Sequence, residues 1–317
     1  MRLPFVSLVT LLLAFPARAD EARGPLAPRD TQLFAQPRLV LAPEGARTLG
    51  RGRTLLRAGL HWGNSFAWAQ DAPGETPSLR RYLLDGEALT LDFELRRGLT
   101  DALDGIIDAF HRVFRFAGVG DGSRPAFVRD AFRVEGRTRD GTPFTWSDAR
   151  GAGLGDAELS ARLALGGAGT RRSLGLALHV SLPTGTRPFD GGAAAAGVQL
   201  LAARDLGARA DLHFGVGATF GGARQVRGVS YERERVQGFA VVERRLGARV
   251  SLLLGSEIAS PLMRAQGGFA GLHWTAHAGA WFDLSHRARL GVALVENIAA
   301  QASTADLALH LGVELRR

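Results

Sequence analysis

From Ser173 to Leu182 every second residue is a large aliphatic one. Leu174, Leu176, Leu178, Val180 and Leu182 alternate with Ser173, Gly175, Ala177, His179 and Ser181. A period of two is the repeat of a β-strand, whose side chains point alternately to its two faces; a helix repeats every 3.6 residues. Residues 209–220 follow the same scheme, with Leu212, Phe214, Val216 and Phe220 on one parity and Asp211, His213, Gly215, Gly217 and Thr219 on the other. So do residues 306–315, where Leu307, Leu309, Leu311, Val313 and Leu315 alternate with Asp306, Ala308, His310, Gly312 and Glu314.

Runs of this kind predict strands at 53–63, 86–97, 155–166, 171–183, 196–205, 208–220, 233–246, 248–259, 269–283, 287–297 and 304–316. Most are long enough to cross a bilayer at a tilt. Very short turns at 168–170, 206–207, 247 and 285 alternate with longer links near 184–195, 221–232, 260–268 and 298–303. Short turns at one end and longer loops at the other fit a barrel inserted from the periplasm, with both termini on that side and an even strand count. A twelfth strand is therefore expected between 98 and 154, and Phe127–Arg137 is the candidate.

The fold class is all-β, an antiparallel transmembrane β-barrel of about 12 strands (10–12) with one short amphipathic helix near 104–116. That helix is read from Ile106, Ile107, Phe110, Val113 and Phe114 at helical spacing, with Asp108, His111, Arg112 and Arg115 facing away and Asp104 as cap. Ile106, Ile107, Phe110, His111 and Phe114 would form a plug helix at the mouth or, the favoured reading, a helix packed on the rim.

Alternation alone does not say which parity faces inward. A water-facing surface carries many long charged side chains. Here the polar parity is mostly Gly, Ala, Ser, Thr and His with scattered charges, which suits a crowded lumen. The expected lumen-lining residues are His61, Asp92, Glu94, His179, Asp211, His213, Arg249, Glu257, His273, His277, Asp306, His310 and Glu314. The other parity is uniformly Leu, Val and Phe, as lipid contact requires. Trp62, Phe220, Phe269, Trp281 and Phe282 near strand ends would form aromatic girdles. The competing architecture is a soluble periplasmic barrel with the apolar parity inside.

Lumen charges of both signs, Asp211, Glu257 and Asp306 against Arg57, Arg162, Arg249 and Arg289, would either define a polar pore or pair and block it. His273 and His277 lie about 13 Å apart along one strand face, too far for both to bind one metal ion. No nucleotide-binding loop, nucleophile elbow or zinc-protease motif is present, and no cofactor is implied.

The N-terminus reads as a secretory signal. Arg2 precedes an apolar run over residues 3–15, and Ala17 and Ala19 supply the small residues read at cleavage after Ala19. The expected organisation is residues 1–19 as signal peptide, 20–52 as an irregular N-terminal periplasmic arm, and 53–317 as the barrel. Cysteine is absent, so no disulfide contributes to the fold. The formal net charge is +8, but every basic residue is arginine and these are dispersed, with no basic stripe for nucleic acid. Forty-one glycines are unusually many and lack a collagen period; they suit strands that bend or meet other backbones closely.

Several stretches resemble a domain-of-unknown-function family, family 3187, of Gram-negative envelope proteins. They are Tyr82–Glu87, Arg97–Asp101, Gly105–Phe114 with its Ile-Asp-Ala-Phe-His element, Phe132–Val134, Gly153–Asp156 and Leu182–Gly185. The resemblance covers most of the mature chain, implies an outer-membrane-type barrel, and supplies no activity or catalytic residue. In the family a further apolar strand separates the Gly-Leu-Thr-Asp turn from the Gly-Ile-Ile-Asp element, whereas here only Ala102-Leu103-Asp104 intervene, so the third strand is expected to be missing or displaced. The C-terminus also ends in Leu315-Arg316-Arg317, without the terminal aromatic of barrel-assembly signals.

The expected function is an outer-membrane channel or carrier for small or amphiphilic molecules, with outer-membrane lipid and the barrel-assembly machinery as partners. The alternatives are an outer-membrane lipid-modifying enzyme and a soluble periplasmic lipid-binding barrel.

Overall fold

The computed structural model describes residues 23–28, 38–70, 81–100, 103–108, 112–118, 133–137, 143–147, 151–166, 172–186, 191–207, 209–226, 229–262, 271–298 and 306–317. Its strands are β1 (Thr54–Gln70), β2 (Arg81–Gly98), β3 (Leu103–Asp108), β4 (Arg112–Gly118), β5 (Arg133–Arg137), β6 (Pro143–Ser147), β7 (Gly151–Leu154), β8 (Ala157–Gly166) and β9 (Arg172–Leu182). They continue with β10 (Ala195–Gly207), β11 (Ala210–Gly221), β12 (Gln225–Val226), β13 (Val229–Ser230), β14 (Glu234–Arg245), β15 (Val250–Ala259), β16 (His273–Asp283), β17 (Ala288–Asn297) and β18 (Leu307–Arg316).

Sequence neighbours pair antiparallel, in the order of an up-and-down barrel. From β1 the ladder passes through β18, β17, β16, β15, β14, β11, β10, β9, β8 and β3 to β2. β2 in turn pairs with β1 along its whole length, from Thr54↔Arg97 to Gln70↔Arg81. The small β12–β13 hairpin stands apart, in the link between β11 and β14.

The helix expected over 104–116 is not what the described residues form. Leu103–Asp108 and Arg112–Gly118 are both strands, and both run antiparallel to β2, with Leu95↔Ile107 in one and Leu89↔Phe114 in the other. Between them the register against β2 slips by one residue. On the other side β3 pairs with β8 (Ile107↔Leu159) and β4 with β7 (Val113↔Gly153). β3 and β4 therefore follow one line in the wall, as do β7 and β8, and counting each line once gives twelve. The described parts of the segment read as a helix supply the third strand. Ile106, Ile107, Val113 and Phe114 are β-branched or aromatic, types that suit a pleated surface. Two strand edges were available to pair with them, and that pairing overrides a helical spacing spanning little more than two turns. Phe110 and His111 lie outside the described residues. Phe127–Arg137 is not needed as the twelfth strand: Arg133–Arg137 pairs with the start of β2 and forms a hairpin with β6, while 127–132 lie outside the described residues.

The links 99–102, 167–171, 208–209, 246–249 and 284–287 are short, and those at 71–80, 119–150, 183–194, 222–233, 260–272 and 298–306 are longer. The barrel therefore has a short-turn end and a long-loop end. β1 begins and β18 finishes at the short-turn end, where the Thr54 N–H donates to the Arg317 carbonyl.

Burial settles which parity faces out. Along β9 and β18 it alternates strictly, with the small and polar residues buried and the aliphatic ones exposed. Leu178 is 51% exposed, Val216 54% and Val236 56%, whereas His179, His213 and His310 are each 3%. The apolar residues form an outer belt, the arrangement of a transmembrane barrel. A soluble barrel would invert it. Phe220 and Phe282 are exposed, as a girdle requires, whereas Trp281 is 1% exposed and turned inward and so is not a girdle residue; Phe269 lies outside the described residues.

Leu178 lies near the middle of β9 on the belt. Leu178→Arg is expected to destabilise the barrel by about 2–4 kcal/mol in lipid, the cost of a cation at the bilayer midplane. Denaturant unfolding from vesicles measures this, and an unchanged midpoint would contradict the lipid-facing assignment.

Candidate functional site: a filled polar lumen

The wall projects a row of alternating charge into the lumen near the short-turn end. Asp283, Arg289, Glu314, Arg57 and Glu94 stand opposite one another on β16, β17, β18, β1 and β2 in turn. Arg57 donates to Glu314 at 2.5 Å and to Glu94 at 3.1 Å, Arg289 donates to the other oxygen of Glu314, and Arg96 donates to Glu94 at 2.8 Å. Glu314 is fully buried, so these cations are what make its charge tolerable there. Deeper in the lumen, His61 lies 3.1 Å from Asp92, and its Nδ1 lies 2.9 Å from His310 Nδ1. Gly59 makes room for this group, since a Cβ there would collide with Asp92.

The lumen is not empty. Residues 23–28 and 38–50 contain no helix or strand and pack against inward-facing wall residues. At the short-turn end Arg23 pairs with Asp283 at 2.5 Å and donates to Ser251 and to the Ala248 carbonyl. The Arg23 and Gly24 N–H groups donate to the Glu243 carboxylate, and the Trp281 indole N–H donates to the Gly24 carbonyl. Arg38 lies at the other end, donating to the carbonyls of Gly221, Ala223 and Glu232 beside the long loops. The chain then descends. The Leu41 N–H and carbonyl both bond the Gln237 side chain, Gln199 donates to the Ala42 carbonyl, Glu44 pairs with Arg162, and Arg47 donates to Ser173.

Glycine and apolar residues shape the inner wall around this segment. Leu26 and Ala46 belong to a small buried cluster with Ala177, Leu201, Phe239, Val241, Leu253 and Trp281. A Cβ on Gly279 or Gly291 would lie 2.5 Å from Leu26, one on Gly197 2.9 Å from Leu41, and one on Gly175 2.8 Å from the Ala46 carbonyl. These close approaches give the high glycine content a local cause.

The sequence-predicted residues fall as follows. His61, Asp92, Glu94, His179, Asp211, His213, His273, His277, His310 and Glu314 are all buried on inward-facing parities, and Glu257 is half-buried on the same parity as Gly255. Several are tied in pairs: His179 to Glu158, His213 to Glu243, Asp211 to Arg245, and His273 to Arg235. Arg249 is exposed in the 246–249 turn, not in the lumen, because β15 starts only at Val250. Asp306 precedes β18 at the long-loop end. Ile106, Ile107 and Phe114 are strand residues. The partners that sequence reasoning did not single out include Arg23, Glu44, Arg96, Glu158, Gln199, Gln237, Glu243 and Asp283, and Trp281 is one that it places in the outer girdle instead. One available signal was Leu26, Leu39 and Leu41 in a segment without periodicity.

Among the described residues no three His, Asp or Glu side chains could hold a metal ion. Ser251, Glu243 and His213 meet, yet not as a hydrolytic triad. The carboxylate sits between serine and histidine, with Ser251 donating to it at 2.8 Å and His213 3.3 Å away. The serine oxygen also accepts from Arg23, so the histidine is not placed to take its proton.

The sequence pattern of the family described as "Protein of unknown function (DUF3187)" matches residues 5–316. No curated protein matches the chain. Among solved structures, the COG4313 outer membrane channel from Pseudomonas putida F1 superposes with a TM-score of 0.59 at 14% identity, covering 86% of this chain and 98% of that one. This similarity shows the outer-membrane barrel fold. The NanC porin (TM-score 0.48, 6% identity, 83% and 98% covered) and the Pseudomonas putida toluene transporter TodX (0.42, 9%, 84% and 88%) are more distant and add nothing to that.

Burial alone would raise the Glu44 carboxyl, but Arg162, then His179 and Arg96, outweigh it and hold the group at about 2. A value depressed below the ordinary 4.5 means the pair's stabilisation is fully present above that pH and is lost as pH falls toward about 2. Amide exchange over residues 38–50 should therefore stay slow from neutral pH to about 4 once intrinsic rates are corrected, and quicken below. Release between pH 7 and 5 would contradict this. Arg162→Met leaves Glu44 without its nearest cation and should cost about 3–5 kcal/mol in denaturant unfolding, much of it recovered by adding Glu44→Gln.

Proposed function

Proceeding from a chain that belongs to the DUF3187 family, we propose that it is an outer-membrane channel for small molecules whose passage is controlled by its own N-terminal segment. After cleavage following Ala19 the short turns face the periplasm, and the barrel-assembly machinery inserts the barrel with its aliphatic belt in outer-membrane lipid. The observation that carries this reading is a polar lumen occupied by a segment that is not part of the sheet. Residues 23–28 and 38–50 are held by side-chain pairs and small apolar contacts. Such a filler can shift without breaking a single rung of the wall.

The solved P. putida barrel with the same fold is itself described as an outer membrane channel, which agrees with this role. The lipid-modifying alternative gains nothing from the lumen, where the meeting of serine, acid and histidine has the wrong order for nucleophilic attack.

Planar-bilayer conductance tests the proposal. The mature chain should show small, intermittent openings. A chain lacking residues 23–50 should conduct steadily and on the order of tenfold more, because an emptied barrel of this size leaves a water-filled bore. Gly197→Val, which crowds Leu41 without meeting wall backbone, should raise the open fraction with the barrel intact. No conductance in any of the three, with heat-shifted gel mobility showing folded barrels, would overturn the channel reading.

A further inference from the structure

A cavity of about 410 Å³ lies at the short-turn end, between the 43–49 stretch of the N-terminal segment and the wall. Its volume is that of a small-molecule site. Ten arginines line it, against one carboxylate, Glu44. Three more carboxylates, Glu94, Asp283 and Glu314, reach those arginines from the wall. Positive charge therefore remains well in excess.

Two of these arginines are incompletely satisfied. Arg96 and Arg162 are 8% and 1% exposed, and in each the Nε–H has no hydrogen-bond partner among the described residues. A buried N–H without an acceptor costs free energy, so two of them in the wall of one cavity mark a place where an acceptor is missing. Arg287 and Arg316 are exposed where the cavity meets the short-turn end, and would draw an anion inward. The rest of the lining includes Pro25, Pro43, Ala46, Leu49 and Leu55, which suit a short apolar body.

We infer that this cavity is a binding site for a small organic anion, a carboxylate or phosphate on a compact apolar body. Arg96 and Arg162 receive the anionic group at depth, and Arg287 and Arg316 attract it at the mouth. Guanidinium groups fit this task because their planar donors match two oxygens at once. The Arg162 side chain also holds Glu44, so an arriving anion competes directly with the contact that anchors the N-terminal segment. Binding does not require conduction, so this inference and the channel reading can fail separately.

Calorimetric titration of the full mature protein in nanodiscs tests it, with benzoate and phenyl phosphate as probes and benzamide as the neutral control. Both anions should bind in phosphatidylcholine discs and compete with each other, and benzamide should not bind. Arg287→Gln/Arg316→Gln and, separately, Arg96→Gln should each weaken benzoate about tenfold. Arg249→Gln, in a neighbouring turn outside the cavity, should leave it unchanged. Equal binding of benzamide would overturn the inference, as would unchanged benzoate affinity in both arginine variants with heat-shifted mobility intact. Benzoate binding that vanishes in phosphatidylglycerol discs but persists in phosphatidylcholine discs would assign the arginines to a lipid headgroup and overturn the soluble-anion reading.

Discussion

Hydrocarbon offers no hydrogen-bond partner, so every backbone N–H and carbonyl that crosses it must be paired with another strand. The ladder from β1 through β18 and back to β2 meets this demand, and much else follows from it. A strand committed to two neighbours has only two faces left, and its residues must divide between lipid and lumen. Leu174, Leu178 and Val180 go to one side of β9, and Ser173, His179 and Ser181 to the other. The same demand explains why Leu103–Asp108 and Arg112–Gly118 lie in the wall. A helix there would have left β2 and β8 with unpaired edges along that stretch.

The inward face then meets a second constraint. Twelve strands enclose more space than their own inward side chains fill, and the charges placed there need partners in a partly dry interior. The wall answers in part by placing opposite charges in one row, from Asp283 to Glu94. The N-terminal segment supplies further partners: Arg23 for Asp283 and Glu243, Glu44 for Arg162, and Leu26 and Leu41 against glycines in the wall. The filler is thus bound by the charges and gaps that would line an open passage. On the proposed channel reading, displacing it and opening the barrel are the same event, which would couple what enters the lumen to what holds it shut.

The strand periodicity was legible in the sequence, because lipid on one side and a crowded lumen on the other leave an unmistakable alternation. Inward placement of the six histidines followed from parity alone. The third strand was not legible. Ile106, Ile107, Phe110, Val113 and Phe114 satisfy a helical spacing by coincidence, and only the edges of β2, β7 and β8, distant in sequence, decide the matter. Pairing partners were hidden for a related reason. Parity places Arg57 and Arg289 as lumen cations, but their convergence on Glu314 depends on register, and register is set by turns. The filling of the lumen was least legible of all, since a segment without periodicity carries no signal of where it rests. Its traces were indirect: Leu26, Leu39 and Leu41 within that segment, and an excess of glycine on the inward parity, which makes sense once another stretch of chain lies against it.

Aliphatic side chains face lipid while small and polar ones face a filled lumen, and this arrangement can be read position by position. The chain has no cysteine, so single cysteines can be placed at each position from 173 to 182, labelled with an environment-sensitive fluorophore, and exposed to nitroxide-bearing lipid. Strong quenching is expected at 174, 176, 178 and 180 and weak quenching at 173, 175, 177, 179 and 181. The opposite alternation, or none, would contradict this arrangement.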